Sequence, residues 1–178
     1  MSLKNTSDSY GLISKNLHWI LAILLLLNFS LGFVMGGLER GPLRSSIFHF
    51  HKSMGILLLG LIVLRLFWRL INITPVPVVH SLIINKISKF VHYSFYFILL
   101  TVTLSGWIYS TARAGPVDFF GLFYMPAIVE KNDLIGQVAK EIHIYSVYIF
   151  ISLVVLHVIA SIYHHFFLKD KTLKRMWF

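Results

Sequence analysis

The stretch Ile142–Leu168 contains no Asp, Glu, Lys or Arg, yet it holds four histidines: His143, His157, His164 and His165. A helix needs about 20 apolar residues to cross the hydrocarbon core of a bilayer, so this run can span it with some tilt. An ionisable side chain at that depth is costly, and it faces the bundle interior where it has a partner. His143 and His157 lie fourteen residues apart, close to four helical turns, and so share one helix face. At 1.5 Å per residue their heights differ by roughly 21 Å. One therefore belongs near each side of the membrane, the spacing needed to hold two stacked metal centres.

Three more apolar runs precede this one, at 17–38, 46–71 and 90–112, with the last span taken as 142–168. The chain of 178 residues is 57% hydrophobic and only 13% charged. Soluble domains carry about a quarter charged residues, so the deficit predicts a membrane protein. The fold class expected is an all-α membrane protein, a bundle of four transmembrane helices forming one domain over 1–178. The first span follows a basic start, as a signal peptide does, but it is long for one and lacks a convincing cleavage pattern. It reads as a retained span. Gly36, Gly37, Gly41 and Pro42 end it. Pro75 and Pro77 mark the second connection, with a short amphipathic segment at Leu82–Lys89. The third connection, 113–141, is aromatic enough at Phe119, Phe120, Leu122, Phe123 and Tyr124 to lie at the interface or cap the bundle.

No cysteine is present. This excludes disulfides, Fe–S clusters, zinc–thiolate sites and covalent haem attachment. The formal charge of +9 comes from residues flanking apolar runs and not from a stripe, which argues against a nucleic-acid partner. Ten of the 16 Lys and Arg fall on the side holding both termini and the second loop, and six on the other. By the positive-inside rule both termini are cytoplasmic.

With that topology the histidines sort by depth. His18 starts the first span near the cytoplasmic side, and His51 and His143 start the second and fourth spans near the outer side. His157 lies toward the cytoplasmic half. Two pairs result, His51 with His143 outside and His18 with His157 inside, and imidazole is a good iron ligand. A lone intramembrane histidine serves equally well as a hydrogen-bonded core residue or proton relay. Four at matched depths favour ligation. Zinc fits less well, since its structural sites gather four ligands at one point. His49 competes with His51, two residues away on a different face. Gly55, one turn beyond His51, leaves room for a flat macrocycle and favours His51. His164 is nearly on the face of His157 but closer to the headgroups, suited to a propionate or a quinone, whereas His165 points elsewhere.

The blocks Ser14–Trp19, His51–Gly55 followed by Leu64–Arg69, Phe120–Pro126, His143, His157 and His164–Asp170 together resemble the small bacterial cytochrome b561 family over nearly the whole chain. That resemblance implies a four-helix inner-membrane protein enclosing two haem b groups ligated at His18, His51, His143 and His157. It is also similar to a superoxide:ubiquinone oxidoreductase. This implies an oxidoreductase taking electrons from superoxide, or another small periplasmic donor, and passing them to a membrane quinone. The alternative is a cytochrome b anchor subunit linking a partner dehydrogenase to quinone. Lys52 on the outer side, and Lys15, Arg65 and Arg69 on the inner, are candidate partners for haem propionates. The same arginines equally suit lipid phosphates. Arg40, Arg44 and Arg113 could draw an anion to the outer mouth. His80 and His92 are candidates for a quinone site or plain interface residues. Trp19, Trp68, Trp107 and Trp177 suit interface anchoring, and Gly32 and Gly106 suit close helix or haem packing.

Overall fold

Four long helices account for most of the chain: α1 (Leu12–Gly37), α2 (Pro42–Ile71), α3 (Leu82–Ala114) and α4 (Asp133–Phe166). The structure is a computed structural model describing residues 2–78 and 81–178; the candidate His80 lies outside the described residues. All four helices are long and apolar enough to cross a membrane. At 1.5 Å per residue the 33 residues of α3 and 34 of α4 reach about 50 Å, beyond a hydrocarbon core of about 30 Å. Their ends therefore project past the apolar layer. Large apolar side chains such as Leu26, Phe33, Phe67, Phe97 and Leu156 are exposed on the outside of the bundle, where lipid replaces water as solvent.

The helices begin earlier than the apolar runs do. α1 starts within the polar N-terminal segment, the amphipathic segment at 82–89 continues into α3, and α4 begins at Asp133 instead of 142. Local capping explains the last of these. The Asn132 side chain accepts the Ile135 N–H, and Asp133 sits in the positively polarised first turn. Pro42 occupies the first turn of α2, where a missing N–H costs nothing. Gly115 closes α3 in the left-handed region, at φ +88°, donating its N–H to Thr111 O.

The connection between α3 and α4 is not wholly irregular. It holds a two-stranded antiparallel hairpin, β1 (Val117–Phe119) paired with β2 (Phe123–Met125). This hairpin docks on α2 through Ser53, which is 2% exposed. Its hydroxyl donates to Asp118 O at 2.7 Å and accepts from Phe120 N at 3.1 Å.

At the opposite end the N-terminal arm, the second loop and the C-terminal tail are fastened together. Asn5 donates to Ile73 O, Val76 N donates to Ser7 O, and Arg175 donates to Val76 O. Gly11 is required by the arm's crossing: a Cβ there would lie 2.4 Å from the Lys4 carbonyl carbon.

The helices pack in chain order. α1 packs on α2, α2 on α3 and α3 on α4, around a core of Leu21, Met54, Leu58, Ile62, Tyr96 and Leu99. Among the described residues, α4 makes no comparable packing contact with α1 or α2. The bundle is thus held open between α4 on one side and the α1–α2 pair on the other.

Candidate functional site

Both histidine pairs reach across that opening. His51 from α2 faces His143 from α4 with ring centroids 6.3 Å apart, and His18 from α1 faces His157 from α4 at 6.4 Å. Phe150 is seven residues from each α4 histidine and so lies between the two levels on the same face. It contacts Phe95, whose ring in turn lies 5.4 Å from His157.

The His51–His143 pair is oriented by hydrogen bonds at the two Nδ1 atoms. His51 Nδ1 lies 3.0 Å from Asn28 O, and His143 Nδ1 lies 2.8 Å from Val102 O. A carbonyl only accepts, so each Nδ1 carries the proton, leaving Nε2 with a free lone pair. Each ring also lies against a glycine. A Cβ at Gly32 would lie 3.1 Å from His51 Cε1, and one at Gly106 would lie 3.0 Å from His143 Cε1 and Nδ1. The glycine against His51 is therefore Gly32 of α1. Gly55 instead meets Asn28, whose Nδ2 is 4.0 Å from the position a Cβ would take.

The other sequence-derived candidates divide. His49 is exposed on another face of α2. Arg65, fourteen residues after His51 and on its face, is the cationic neighbour common to His18, His92 and His157. Its Nε donates to Tyr96 Oη at 3.3 Å, while its Nη1 is buried with no partner among the described residues. Arg69 lies over the rings of Tyr93 and Tyr96. Lys15 is directed instead to Trp177 O, at 2.6 Å, and Lys52 lies over the Phe48 ring beside Asp118. Arg113 pairs with Asp133, and Arg44 donates to Met35 O. Trp19 and Trp68, at the end of the bundle that holds both termini, make hydrogen bonds within the protein. Trp68 donates to Ser14 Oγ and Trp19 donates to Met176 O.

His92 is the histidine least legible from sequence. Its Nδ1 bonds Ser88 O at 2.6 Å, and its ring centroid is 6.1 Å from that of His157. It comes from α3, which packs closely on α4, so it stands beside His157 and not across the opening from it. A helical-face comparison between α3 and α4 could raise it, but only with their pairing known.

The donor sets suit a flat metal macrocycle. The centroid separations of 6.3 and 6.4 Å leave space for a metal held by both imidazoles of a pair. Among the described residues, no three or more His, Cys, Asp or Glu side chains converge as a bare metal ion would require. A pair of single imidazoles would need a group that brings the metal's remaining ligands with it, as haem does.

Four membrane-length helices with facing histidines define a multi-pass membrane protein of the cytochrome type. The chain belongs to the prokaryotic cytochrome b561 family, whose model matches residues 9–178. It is 34% identical to cytochrome b561 homolog 2 of Escherichia coli (strain K12), over 99% of this chain and 95% of that protein. It is 28% identical to a probable superoxide oxidase CybB of Yersinia pestis, over 94% of each. Membership implies b-type haem, transmembrane electron transfer and oxidoreductase chemistry, with lipid and quinone-type partners.

Proposed function

We propose that the protein moves electrons across the membrane through two b-type haems, from superoxide or another small periplasmic donor to a membrane quinone. The observation carrying this reading is that both imidazole pairs, at 6.3 and 6.4 Å, face each other across the opening between α4 and the α1–α2 pair. In this reading His51 and His143 hold the outer haem, and His18 and His157 the inner one. When bound, haem supplies one-electron redox chemistry, and two imidazole ligands leave no position for oxygen.

The chain's own residues set the rest. Asn28 O and Val102 O hold His51 and His143 in the tautomer that ligates through Nε2. The unpartnered Nη1 of Arg65 is suited to an inner propionate, since a buried guanidinium hydrogen without an acceptor is costly. Arg69 can assist it. Lys52 is the outer candidate. Lys15, whose ammonium is already bonded to Trp177 O, serves that end by fixing the tail. With both termini cytoplasmic, Arg40, Arg44 and Arg113 lie at the outer rim where an anion arrives. The superoxide donor draws further support from the name of the Yersinia pestis relative.

The test is stopped-flow mixing of the purified, haem-loaded protein with enzymatically generated superoxide, followed by a short-chain ubiquinone. Reduction of the b-type absorbance and then its reoxidation are expected. Absence of reoxidation by any quinone would reject the assignment.

A further inference from the structure

Three of the four buried Ser and Thr residues of α3 turn their hydroxyls onto the carbonyl one turn back. Thr103 Oγ1 donates to Leu99 O at 2.8 Å, Ser105 Oγ to Thr101 O at 2.5 Å, and Thr111 Oγ1 to Trp107 O at 3.1 Å. Ser110, only 6% exposed, makes no such bond to Gly106 O, although a helical serine can. Its Oγ is buried without a partner among the described residues, and so is Trp107 Nε1. Trp107 lies four residues after Thr103 and three before Ser110, so these side chains are neighbours. The face carrying Thr103 and Ser110 falls between two contacts of α3. One is Tyr96, which accepts from Arg65 of α2, and the other is Gly106, which meets the His143 ring of α4. That face looks toward the opening. Ser110 stands one turn beyond Gly106, toward the end where the hairpin packs on α2 and α3.

We propose that Trp107 Nε1 and Ser110 Oγ hold a propionate of the haem bound by His51 and His143; this deepens the reading above and rests on it. An indole N–H only donates, so what answers it is an acceptor, and an ionised carboxylate has two acceptor oxygens for two donors. Haem offers acceptors only at its carboxylates, since iron takes up its nitrogens and the rest of its rim is apolar. The level agrees as well, because Gly106, which meets the His143 ring, directly precedes Trp107. Charge favours an anion here. Lys52 follows His51 directly on α2, and hydrogen bonds to an ionised acceptor are roughly twice as strong as neutral ones. Asp118, the carboxylate beside Lys52, already accepts the Gly121 N–H at 3.1 Å. The competing occupant is a buried water, which can also satisfy such donors.

The test uses the haem-loaded full chain with carbon-13 in the haem propionate carboxyls. It reads the label-sensitive carboxylate bands of the reduced-minus-oxidised infrared difference spectrum. Trp107→Phe, which keeps an aromatic ring, and Ser110→Ala, which suits a helix, should both shift the same propionate band. Each should also release one haem to apomyoglobin about tenfold faster and leave the other's release unchanged. His51→Ala should delete the shifted band together with its haem, and His18→Ala should keep it. An unshifted band in either donor variant overturns the proposal, as would be seen if water answers these donors. So does a band that survives in His51→Ala after that variant has lost one haem. If His51→Ala loses one haem while the donor variants match wild type, the propionate seat alone is rejected. Wild-type protein without b-type haem, or His51→Ala retaining both haems, rejects the reading beneath it.

Discussion

At the scale of single residues, the rings of His51 and His143 are fixed on two sides, by a carbonyl behind and a glycine beside, and face the opening on the third. Alanine at Gly106 would press on two atoms of the His143 ring, which its bond to Val102 O prevents from yielding. Such overpacking costs about 1–3 kcal/mol. Gly106→Ala should lower haem retention and thermal stability, and Gly32→Ala should do so less, since its nearest contact is a single ring atom at 3.1 Å. Gly60→Ala, with nothing within 4 Å, should be neutral or stabilise by up to about 1 kcal/mol. Haem-to-protein ratios and melting curves of the three variants separate these outcomes. His51→Ala or His143→Ala should each remove one haem of two by pyridine haemochrome assay, and His49→Ala and His92→Ala neither. Loss of haem in His49→Ala with retention in His51→Ala would reverse the outer assignment. The face shared by His143 and His157 was legible from spacing. The glycine against His51 was not, because Gly32 lies on another helix and nothing in local sequence reports which helices touch.

Individual elements carry two further expectations. The hairpin is tied to α2 through Ser53, so Ser53→Ala leaves the Phe120 N–H without its acceptor. A loss of about 1–3 kcal/mol in local stability is expected, measurable as faster amide exchange across 117–125. In the tail, burial alone would raise the Asp170 carboxyl, but the hydrogen bonds from His164 and Thr172 outweigh it and hold it below its usual range. A carboxyl lowered on folding stabilises above its unfolded value, near 4, and loses that contribution as pH falls through the folded value. The tail should thus hold at neutral pH and loosen below about pH 4. Asp170→Asn should loosen it at pH 7, read as faster tryptic cleavage at Lys171 and Lys174. From sequence the aromatics of the third connection belong at the interface or as a cap on the bundle; the pairing of its two short strands and their seat on Ser53 of α2 are seen only in the tertiary structure.

For the molecule as a whole, the open face between α4 and the α1–α2 pair governs stability. A ligand that binds only the folded state stabilises it by mass action. Haem-depleted protein should therefore melt at lower temperature and be cleaved more readily than the loaded form, with haemin restoring both. A reporter fused after Phe178 should be active only in the cytoplasm if the charge-based orientation holds.

Hydropathy and helical periodicity are properties of the chain itself. For that reason the sequence alone determined the four apolar helices, the two-level spacing of His143 and His157, and the expectation that His18 matches His157 in depth and His51 matches His143. Helix neighbours are chosen only on packing. The tertiary structure therefore decided that α4 packs on α3 and stands off from α1 and α2, that Asn28 and Val102 supply the orienting carbonyls, that His92 falls beside His157, and that the tail closes over Trp19. Each depends on contacts between residues distant in sequence, which no local pattern encodes.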